Sequence, residues 1–366
     1  MNNTSTLLCS YVQLSFADGY LTTAYVIQTV VCLALLPLAI ALCVAIGKTT
    51  VLHRNVRICL VSIAVSTVIS NVGTVATAGY HLIAVFGSAE NFCDRIALTS
   101  RECSRIQVIR SVGGLSTVIG LFFLAIERVC STIQFKTYEK SGSTMIGIVL
   151  TLLQWLVSSL SFAGLLRAPR NSEERESRHP YCSVVALHPH TSSIFFYCMF
   201  AAQMLGLLIF ISLAVVNKRK MREYTFNHAL RLLSVRYQLK ENVKTTIFLI
   251  PICASSCLVY GITLVALMFF VNQLPSDDDD QQLTDNIALQ QIHFARVMEV
   301  VSLSTPAFTA TFIAVVMRYN SHIRQNFVAC FGRVKIPRRI SKITDQSQEA
   351  LSAKEQYFEA LKKQWQ

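Results

Sequence analysis

Seven long apolar stretches divide the sequence, and they constrain its fold more than any other feature. They cover residues 21–46, 58–86, 105–126, 144–166, 193–216, 245–271 and 293–317. Each is close to or longer than the roughly 20 residues that a helix needs to cross the hydrocarbon core of a bilayer. Because unpaired backbone groups are costly in lipid, we expect each stretch to form a helix. The sequence therefore predicts an all-α membrane protein, a bundle of seven transmembrane helices.

The amino-acid composition also indicates a membrane protein. Hydrophobic residues make up 52% of the chain and charged residues only 15%, whereas soluble domains average about 25% charged residues. The net charge of +12 raises the question of a nucleic-acid partner, but such proteins cluster Lys and Arg with stacking aromatic residues on one folded face. Here the basic residues are distributed by membrane side. We therefore expect the lipid bilayer, and no nucleic acid, as a partner.

The distribution of Lys and Arg predicts the orientation of the helices. The segments after the first, third, fifth and seventh apolar stretches hold 24 of these residues, against 7 in the N-terminus and the other loops when the boundary residue Arg105 is counted with its loop. Since basic loops stay in the cytoplasm, the N-terminus is predicted to lie outside. We divide the chain into an extracellular N-terminus (1–20), a seven-transmembrane domain (21–317) and a cytoplasmic tail (318–366).

The N-terminus carries two predicted features. Its first 20 residues are polar and contain no Lys or Arg, so we expect no cleavable signal peptide and predict that the first helix directs insertion. Asn2 and Asn3 each begin an Asn-X-Ser/Thr triplet, which is the acceptor pattern for N-glycosylation.

Four of the twelve cysteines fall on the predicted extracellular side: Cys9, Cys93, Cys103 and Cys182. Four cysteines allow three pairings, and the residues alone do not decide among them. We favour a disulfide between Cys103 and Cys182, which would attach the second outer loop to the top of the third helix. A second disulfide between Cys9 and Cys93 is then possible, and the sequence leaves that pairing open.

The third apolar stretch has a distinctive layout. Cys103 precedes it and Glu127-Arg128 follows it, and their separation corresponds to roughly 38 Å of helix. The thiol and the charged dipeptide should therefore reach opposite membrane faces. This layout resembles the third helix of rhodopsin-like receptors.

Several short motifs extend the resemblance. They are HRNVR at 53–57, Cys93-Asp94, Glu127-Arg128 followed by Tyr138-Glu139, and SVRYQLKEN at 234–242. With these motifs the chain resembles the nematode serpentine chemoreceptors, and it looks most like their alpha-beta (Srab) class. The resemblance implies a G-protein-coupled receptor in the plasma membrane of sensory neuron cilia, with a heterotrimeric G protein and a small-molecule ligand as partners. It leaves open the ligand, the G-protein subtype and receptor dimerisation.

The sequence also departs from the wider rhodopsin-like pattern. The second stretch contains no Asp, Pro251 lacks a preceding Cys-Trp, and no Tyr follows three residues after Pro306. Trp155 in the fourth stretch does match. We expect the usual outward movement of the sixth helix on activation, with different internal contacts.

The cytoplasmic end of the third helix is the predicted signalling site. Arg128, paired with Glu127 and with Glu241 at the base of the sixth helix, would hold the bundle closed against the G protein. Arg236 and Tyr237 in the same sixth-helix motif are further candidates for coupling. The alternative for Arg128 is simple snorkelling of a long cation to the interface.

Four ionisable residues lie at one depth near the outer ends of the predicted helices: His81, Arg110, Arg296 and Glu299. A charge in this layer costs about 3 kcal/mol on insertion scales and rarely faces lipid. We expect Arg110 and Glu299 to pair across an outer cavity that binds small molecules, with Arg296 or His81 available to a polar or anionic ligand. The alternative is a purely structural ion pair.

The remaining cytoplasmic segments are basic. The loop at 217–244 is expected to be helical extensions of the fifth and sixth helices. After residue 317, Ile323, Phe327 and Phe331 are spaced at i, i+4 and i+8, which predicts a short amphipathic helix on the inner leaflet. Cys330 at its end is a candidate for S-palmitoylation, the alternative being an unmodified thiol.

Other seven-helix and catalytic functions find no support. The histidines are scattered, and His188 and His190 lack a third metal ligand on a helix; the aspartate run 277–280 is expected to be a solvated loop tip. We therefore expect no metal, no cofactor and no enzyme activity. The seventh stretch contains no Lys to bind retinal. The alternative to a receptor is an orphan seven-helix protein that serves as a partner or trafficking subunit for other receptors.

Overall fold

The structure is a computed structural model. It describes residues 9, 12–14, 16, 19–87, 92–133, 144–166, 178–179, 181–183, 185, 189–226, 233–271 and 285–332. The predicted glycosylation sites at Asn2 and Asn3, the Tyr138-Glu139 pair and the aspartate run 277–280 lie outside these residues.

The described part of the chain is helical, and seven of its segments are long and apolar enough to cross a membrane. The first six are α1 (Tyr20–Lys48), α2 (Arg54–Phe86), α3 (Ser100–Ile133), α4 (Met145–Leu166), α5 (Pro189–Phe226) and α6 (Leu233–Val271). The seventh consists of α7 (Asp285–Ser302) and α8 (Ser304–Tyr319), and α9 (Ser321–Phe331) follows it. The prediction of an all-α protein with seven spanning helices is confirmed.

Helices α3, α5 and α6 extend well beyond their apolar stretches. α5 continues to Phe226 and α6 begins at Leu233, so the predicted helical extensions of the third cytoplasmic loop are present. Polar and basic residues favour a helix as readily as apolar ones once an apolar segment has nucleated it. Hydropathy marks only the part of each helix that is in contact with lipid or core.

The third helix is the centre of the bundle, because α3 packs against α2, α4, α5 and α6. Its contact with α2 is very close: a Cβ added at Gly73 would lie 2.3 Å from the backbone nitrogen of Arg110, and one at Gly113 would lie 2.6 Å from that of Ser70. Small residues at these positions let the two backbones approach, which is how helices in lipid gain packing energy.

Burial differs strongly among the helices. The most apolar window of α2 is 61% buried, against 22% for α4 and for α5. The Ser, Thr and Asn side chains of α2 face this interior: Asn71 donates to Thr309 Oγ1 of α8 at 2.8 Å. The side chain of Gln154 on α4 bridges Ser62 and Ser116 at 2.9 and 3.0 Å. α2 is therefore an interior helix, as its mixed composition predicts.

The seventh spanning segment is broken at Leu303, between α7 and α8. Pro306 lies in the first turn of α8 and cannot donate a hydrogen bond to the carbonyl of Ser302. The Ser302 hydroxyl donates a separate hydrogen bond to the backbone oxygen of Glu299 at 2.7 Å. The break follows from the proline, as helix kinks commonly do.

The outer side is braced by short strands and disulfides. β1 (Leu98–Thr99) pairs antiparallel with β2 (Arg178–His179), and the disulfides are Cys9–Cys93 and Cys103–Cys182. The favoured pairing of Cys103 with Cys182 is present, and the pairing of Cys9 with Cys93, which the sequence left open, is present as well. The Cys103–Cys182 disulfide attaches the loop after α4 to the start of α3.

The chain forms two compact units, residues 1–327 and 328–366. Within the first, Ile323 and Phe327 of α9 are buried in the main core, and Asn326 donates to Thr49 Oγ1 at 3.2 Å. In the second, Cys330 and Phe331 are exposed. A helix is thus present after the seventh span; its position on the inner leaflet and the modification of Cys330 stay predictions.

Candidate ligand and signalling sites

An outer cavity of about 190 Å³ lies among α3, α4, α5, α6, α7 and the loop that precedes α5. Its walls are mainly apolar and rich in aromatic rings: Phe162, Tyr181, Phe195, Phe196, Phe200 and Tyr260. Arg110 is the one charged residue among those that line it. Concave apolar sites with few polar groups are typical of small-molecule binding.

Close helix packing fixes the position of Arg110. Its backbone nitrogen lies against Gly73 of α2, where any larger residue would collide with it. The hydroxyl of Ser70 donates to the Arg110 carbonyl oxygen at 3.2 Å. These contacts hold the backbone and Cβ of Arg110 against α2, and Arg110 is among the residues that line the cavity.

Glu299, which is 4% exposed, does not pair with Arg110. Its carboxylate accepts hydrogen bonds from Gln28 Nε2 of α1 and from the Tyr181 hydroxyl, both at 2.7 Å. Ser302 Oγ donates to it more weakly at 3.4 Å. The predicted Arg110–Glu299 ion pair is therefore wrong: neutral donors from α1 and the outer loop satisfy the carboxylate first.

His81 and Arg296 lie outside the cavity wall. His81 is buried between α1 and α2, where its ring stacks on Tyr25 with centroids 4.8 Å apart. The Arg296 guanidinium lies 5.7 Å from the centre of the Tyr20 ring, a cation–π distance. Neither residue lines the cavity, so the prediction that they are available to its ligand is wrong. Depth along a helix does not fix the direction in which a side chain points.

The outer loop forms part of the cavity wall and is held on two sides. Gln107 Nε2 of α3 donates to the backbone oxygen of Cys182 at 2.6 Å, beside the disulfide with Cys103. Tyr181 binds Glu299 of α7. Burial, and then the neighbouring Glu299 carboxylate, raise the pKa of Tyr181 well above its usual range. Its hydroxyl therefore stays protonated and remains a donor at physiological pH.

Gln203 of α5 connects the cavity to two other helices, and sequence reasoning missed it. It lines the cavity and donates from Nε2 to the Val118 carbonyl oxygen of α3 at 2.7 Å. Its Oε1 accepts from Ser256 Oγ of α6 at 3.1 Å. The available signal was a single buried amide in the apolar stretch 193–216, since a buried polar group requires partners.

The C-terminal end of α3, which is predicted to be cytoplasmic, contains a buried ion pair. Arg128 Nε and Nη2 donate to the two carboxylate oxygens of Glu127 at 2.5 and 2.7 Å, and the side chains are 2% and 0% exposed. Arg128 Nη1 also reaches Asn242 Oδ1 of α6 at 3.4 Å, and Ser131 Oγ donates to the same oxygen at 3.0 Å. The residue that joins α3 to α6 is thus Asn242, next to the expected Glu241.

The burial of Arg128 contradicts the snorkelling alternative, because a snorkelling cation keeps its charged end in water. Glu241 is half-buried on α6. The side chains of Arg236 and Tyr237 lie outside the described part of the structure, so their coupling roles stay predictions. Among the described residues, no group of His, Cys, Asp and Glu side chains could hold a metal ion.

Comparison with known proteins bears on this geometry. The family model described as "Serpentine type 7TM GPCR receptor class ab chemoreceptor" matches residues 8–366. The chain is 33% identical over 277 residues to serpentine receptor class alpha/beta-14 of Caenorhabditis elegans, covering 75% of this chain and 66% of that protein. It is 25% identical over 238 residues to the probable G-protein coupled receptor F27E5.8 of the same organism, covering 61% of each chain.

The matched segments thus span a little under two thirds of the length of these relatives. The family match covers nearly the whole of this chain, and the helices found are those of a multi-pass membrane protein. The chain belongs to the class ab family of serpentine seven-transmembrane G-protein-coupled chemoreceptors.

Proposed function

We propose that this protein is a rhodopsin-like chemosensory receptor at the plasma membrane of sensory cilia, with its N-terminus outside. It binds a small extracellular molecule in the outer cavity and activates a heterotrimeric G protein at the cytoplasmic end of the bundle. The observation that carries the proposal is the arrangement along α3. Arg110 lines the outer cavity, and Arg128 is locked against Glu127 and Asn242 at the other end of the same helix.

The contacts of the lock differ in strength. The bidentate Arg128–Glu127 pair lies within α3 and is a strong, charge-assisted interaction. The contact between Arg128 and Asn242 of α6 is long, at 3.4 Å, and hydrogen bonds weaken at such distances. α6 can therefore separate from α3 while the buried cation keeps its counter-ion. Opening then avoids the large cost of an unpaired buried charge.

Gln203 provides a physical link between ligand and lock. A molecule in the cavity contacts the side chain that holds α3 and α6 together through Val118 and Ser256. A ligand that draws the amide away from Ser256 weakens the upper attachment of α6. Binding then favours the open state, because the ligand makes stronger contacts with the open receptor than with the closed one.

The test is a signalling assay of the full chain, expressed with a promiscuous G protein and exposed to a panel of small metabolites. Because a receptor without the lock would be open with or without ligand, Arg128→Ala should raise basal calcium signalling and abolish the ligand-evoked increase while surface display stays normal. The matched control is Arg54→Ala, which removes an exposed arginine at the start of α2 and should leave responses unchanged.

Normal signalling by Arg128→Ala would refute the lock. A receptor that reaches the surface but gives neither basal nor evoked signalling would favour the alternative role, a partner subunit of other receptors.

A further inference from the structure

The outer cavity combines one cation with an otherwise uncharged wall. Arg110 is the single charged lining residue, and in the described part of the chain neither a carboxylate nor a carbonyl group binds its guanidinium. The predicted counter-ion, Glu299, already accepts hydrogen bonds from Gln28, Tyr181 and Ser302. The cavity lining therefore carries a positive charge that no lining residue neutralises. An unpaired cation at this depth is costly, and such residues mark ligand or ion sites.

A second polar group in the wall is also unsatisfied. Ser192 of α5 is fully buried and lines the cavity, and its hydroxyl has no hydrogen-bond partner among the described residues. Buried polar groups are normally paired, so a specific exception requires an explanation. A ligand oxygen would supply the missing partner. The amides of Gln107 and Gln203 on this wall, by contrast, already have protein partners.

The size and lining of the cavity limit the body of the ligand. Its volume is about 190 Å³, smaller than most drug-binding pockets, whereas an apolar cavity of about 150 Å³ holds one benzene molecule. The aromatic walls favour apolar or ring-containing groups through edge and face contacts. A single ring or a branched chain of similar size, with a short substituent, fills this space. A long alkyl chain does not fit.

We propose that the cavity binds small monocarboxylic acids with a compact apolar body, and that Arg110 is their counter-ion. The guanidinium offers a planar pair of donors that suits a carboxylate. The inference rests on the proposed ligand site but concerns binding alone. It is therefore tested without a G protein.

The experiment measures thermal stabilisation of the purified full-length receptor by a matched series of small molecules. Phenylacetate, 3-phenylpropanoate and 4-methylpentanoate should raise the melting temperature. Phenylacetamide and phenethylamine keep the ring but remove or invert the charge, and they should not. Acetate tests the anion without an apolar body, and dodecanoate tests a membrane-derived long-chain acid; both should bind much more weakly than phenylacetate.

Variants of Arg110 assign the effect to this side chain. Arg110→Gln should weaken phenylacetate binding about 10- to 100-fold, the range expected for a lost hydrogen bond to a charged group. Arg110→Lys should retain part of the affinity. The control is Arg296→Gln, which removes a cation outside the cavity wall and should bind phenylacetate as the native receptor does. If Arg110→Gln does not fold, the comparison of the acid, the amide and the amine on native protein still shows whether the cavity requires a carboxylate.

Three results would overturn the proposal: no stabilisation by any of the acids at millimolar concentration, equal stabilisation by the amide or amine, or unchanged acid binding by folded Arg110→Gln. Preference for dodecanoate would overturn the compact-body requirement. Acid binding without evoked signalling would instead leave the ligand class standing and contradict the proposed function.

Discussion

The attachment of α6 to the rest of the bundle gives the most quantitative prediction. Two described polar contacts of α6 can be removed by single substitutions: Ser256 with Gln203 near the cavity, and Asn242 with Arg128 and Ser131 at the cytoplasmic end. If α6 moves outward on activation, both contacts exist only in the closed state. Their loss should then raise basal signalling.

The magnitude follows from the strength of hydrogen bonds between membrane helices. Such bonds average about 0.6 kcal/mol, with a maximum near 1.7 kcal/mol. Ser256→Ala removes one bond of 3.1 Å, so the ratio of open to closed receptor should rise roughly threefold, with an upper limit near 20-fold. Asn242→Ala should act in the same direction. The two sites are about 21 Å apart along the helix, so the effects should multiply in the double variant.

The assay is basal G-protein activation without ligand, normalised to receptor number at the cell surface. Ser255→Ala is the matched control, because the Ser255 hydroxyl bonds only within α6, to the Ile252 carbonyl oxygen at 2.8 Å. It should leave basal activity unchanged. Equal basal activity in Ser256→Ala and Ser255→Ala would refute the role of the Gln203 contact. An increase in the double variant that falls short of the product of the two single increases would show that the two contacts do not act on one shared opening of α6.

Three further predictions concern the frame around the cavity. Gly73→Ala should destabilise the receptor by about 1–3 kcal/mol and reduce surface display. The reason is that the new Cβ would lie 2.3 Å from a backbone nitrogen of α3. The control Gly79→Ala, whose Cβ meets nothing within 4 Å, should be tolerated. Cys103→Ser should reduce both display and ligand binding by releasing the outer loop, and Cys198→Ser, which removes an exposed free cysteine, should do neither. The pKa of Tyr181 is raised in the folded state, so its proton stays bound above the ordinary tyrosine pKa of about 10. This residue should therefore make the midpoint of thermal unfolding flat up to about pH 10 and falling above it. A fall of the same size in Tyr181→Phe would contradict this assignment.

The membrane spans were accessible from local sequence. An apolar run of about 20 residues has one low-energy solution in lipid, so hydropathy finds each helix without knowledge of its neighbours. The helix ends were less accessible: the third stretch is apolar over 105–126 but its helix runs over Ser100–Ile133. Polar residues continue a helix beyond the membrane, and no hydropathy signal marks where it stops.

The ion pair at the end of α3 shows how far spacing can go. Glu127 and Arg128 are adjacent in sequence, and the structure joins them within one helix. On α6, Arg128 contacts Asn242, one residue after the predicted partner Glu241. Neighbours one residue apart on a helix point about 100° from each other, so an error of one position changes the face. The sequence places a residue at a height along α6, whereas the facing direction depends on packing.

The four ionisable residues near the predicted outer ends of the helices show the same difference between height, which the sequence predicts, and facing direction, which packing determines. The sequence by itself determined that Arg110, Glu299, Arg296 and His81 lie at similar depth. The depth of a residue is the number of residues between it and the end of its helix, multiplied by the helix rise per residue. Only the tertiary structure decided which of them lines the cavity, and it selected Arg110. It did so through the close contact of α2 with α3 and through neutral donors, Gln28 among them, that reach Glu299 from other helices. Rotation of each helix about its axis is fixed by packing against all its neighbours at once, and no single stretch of sequence contains that information.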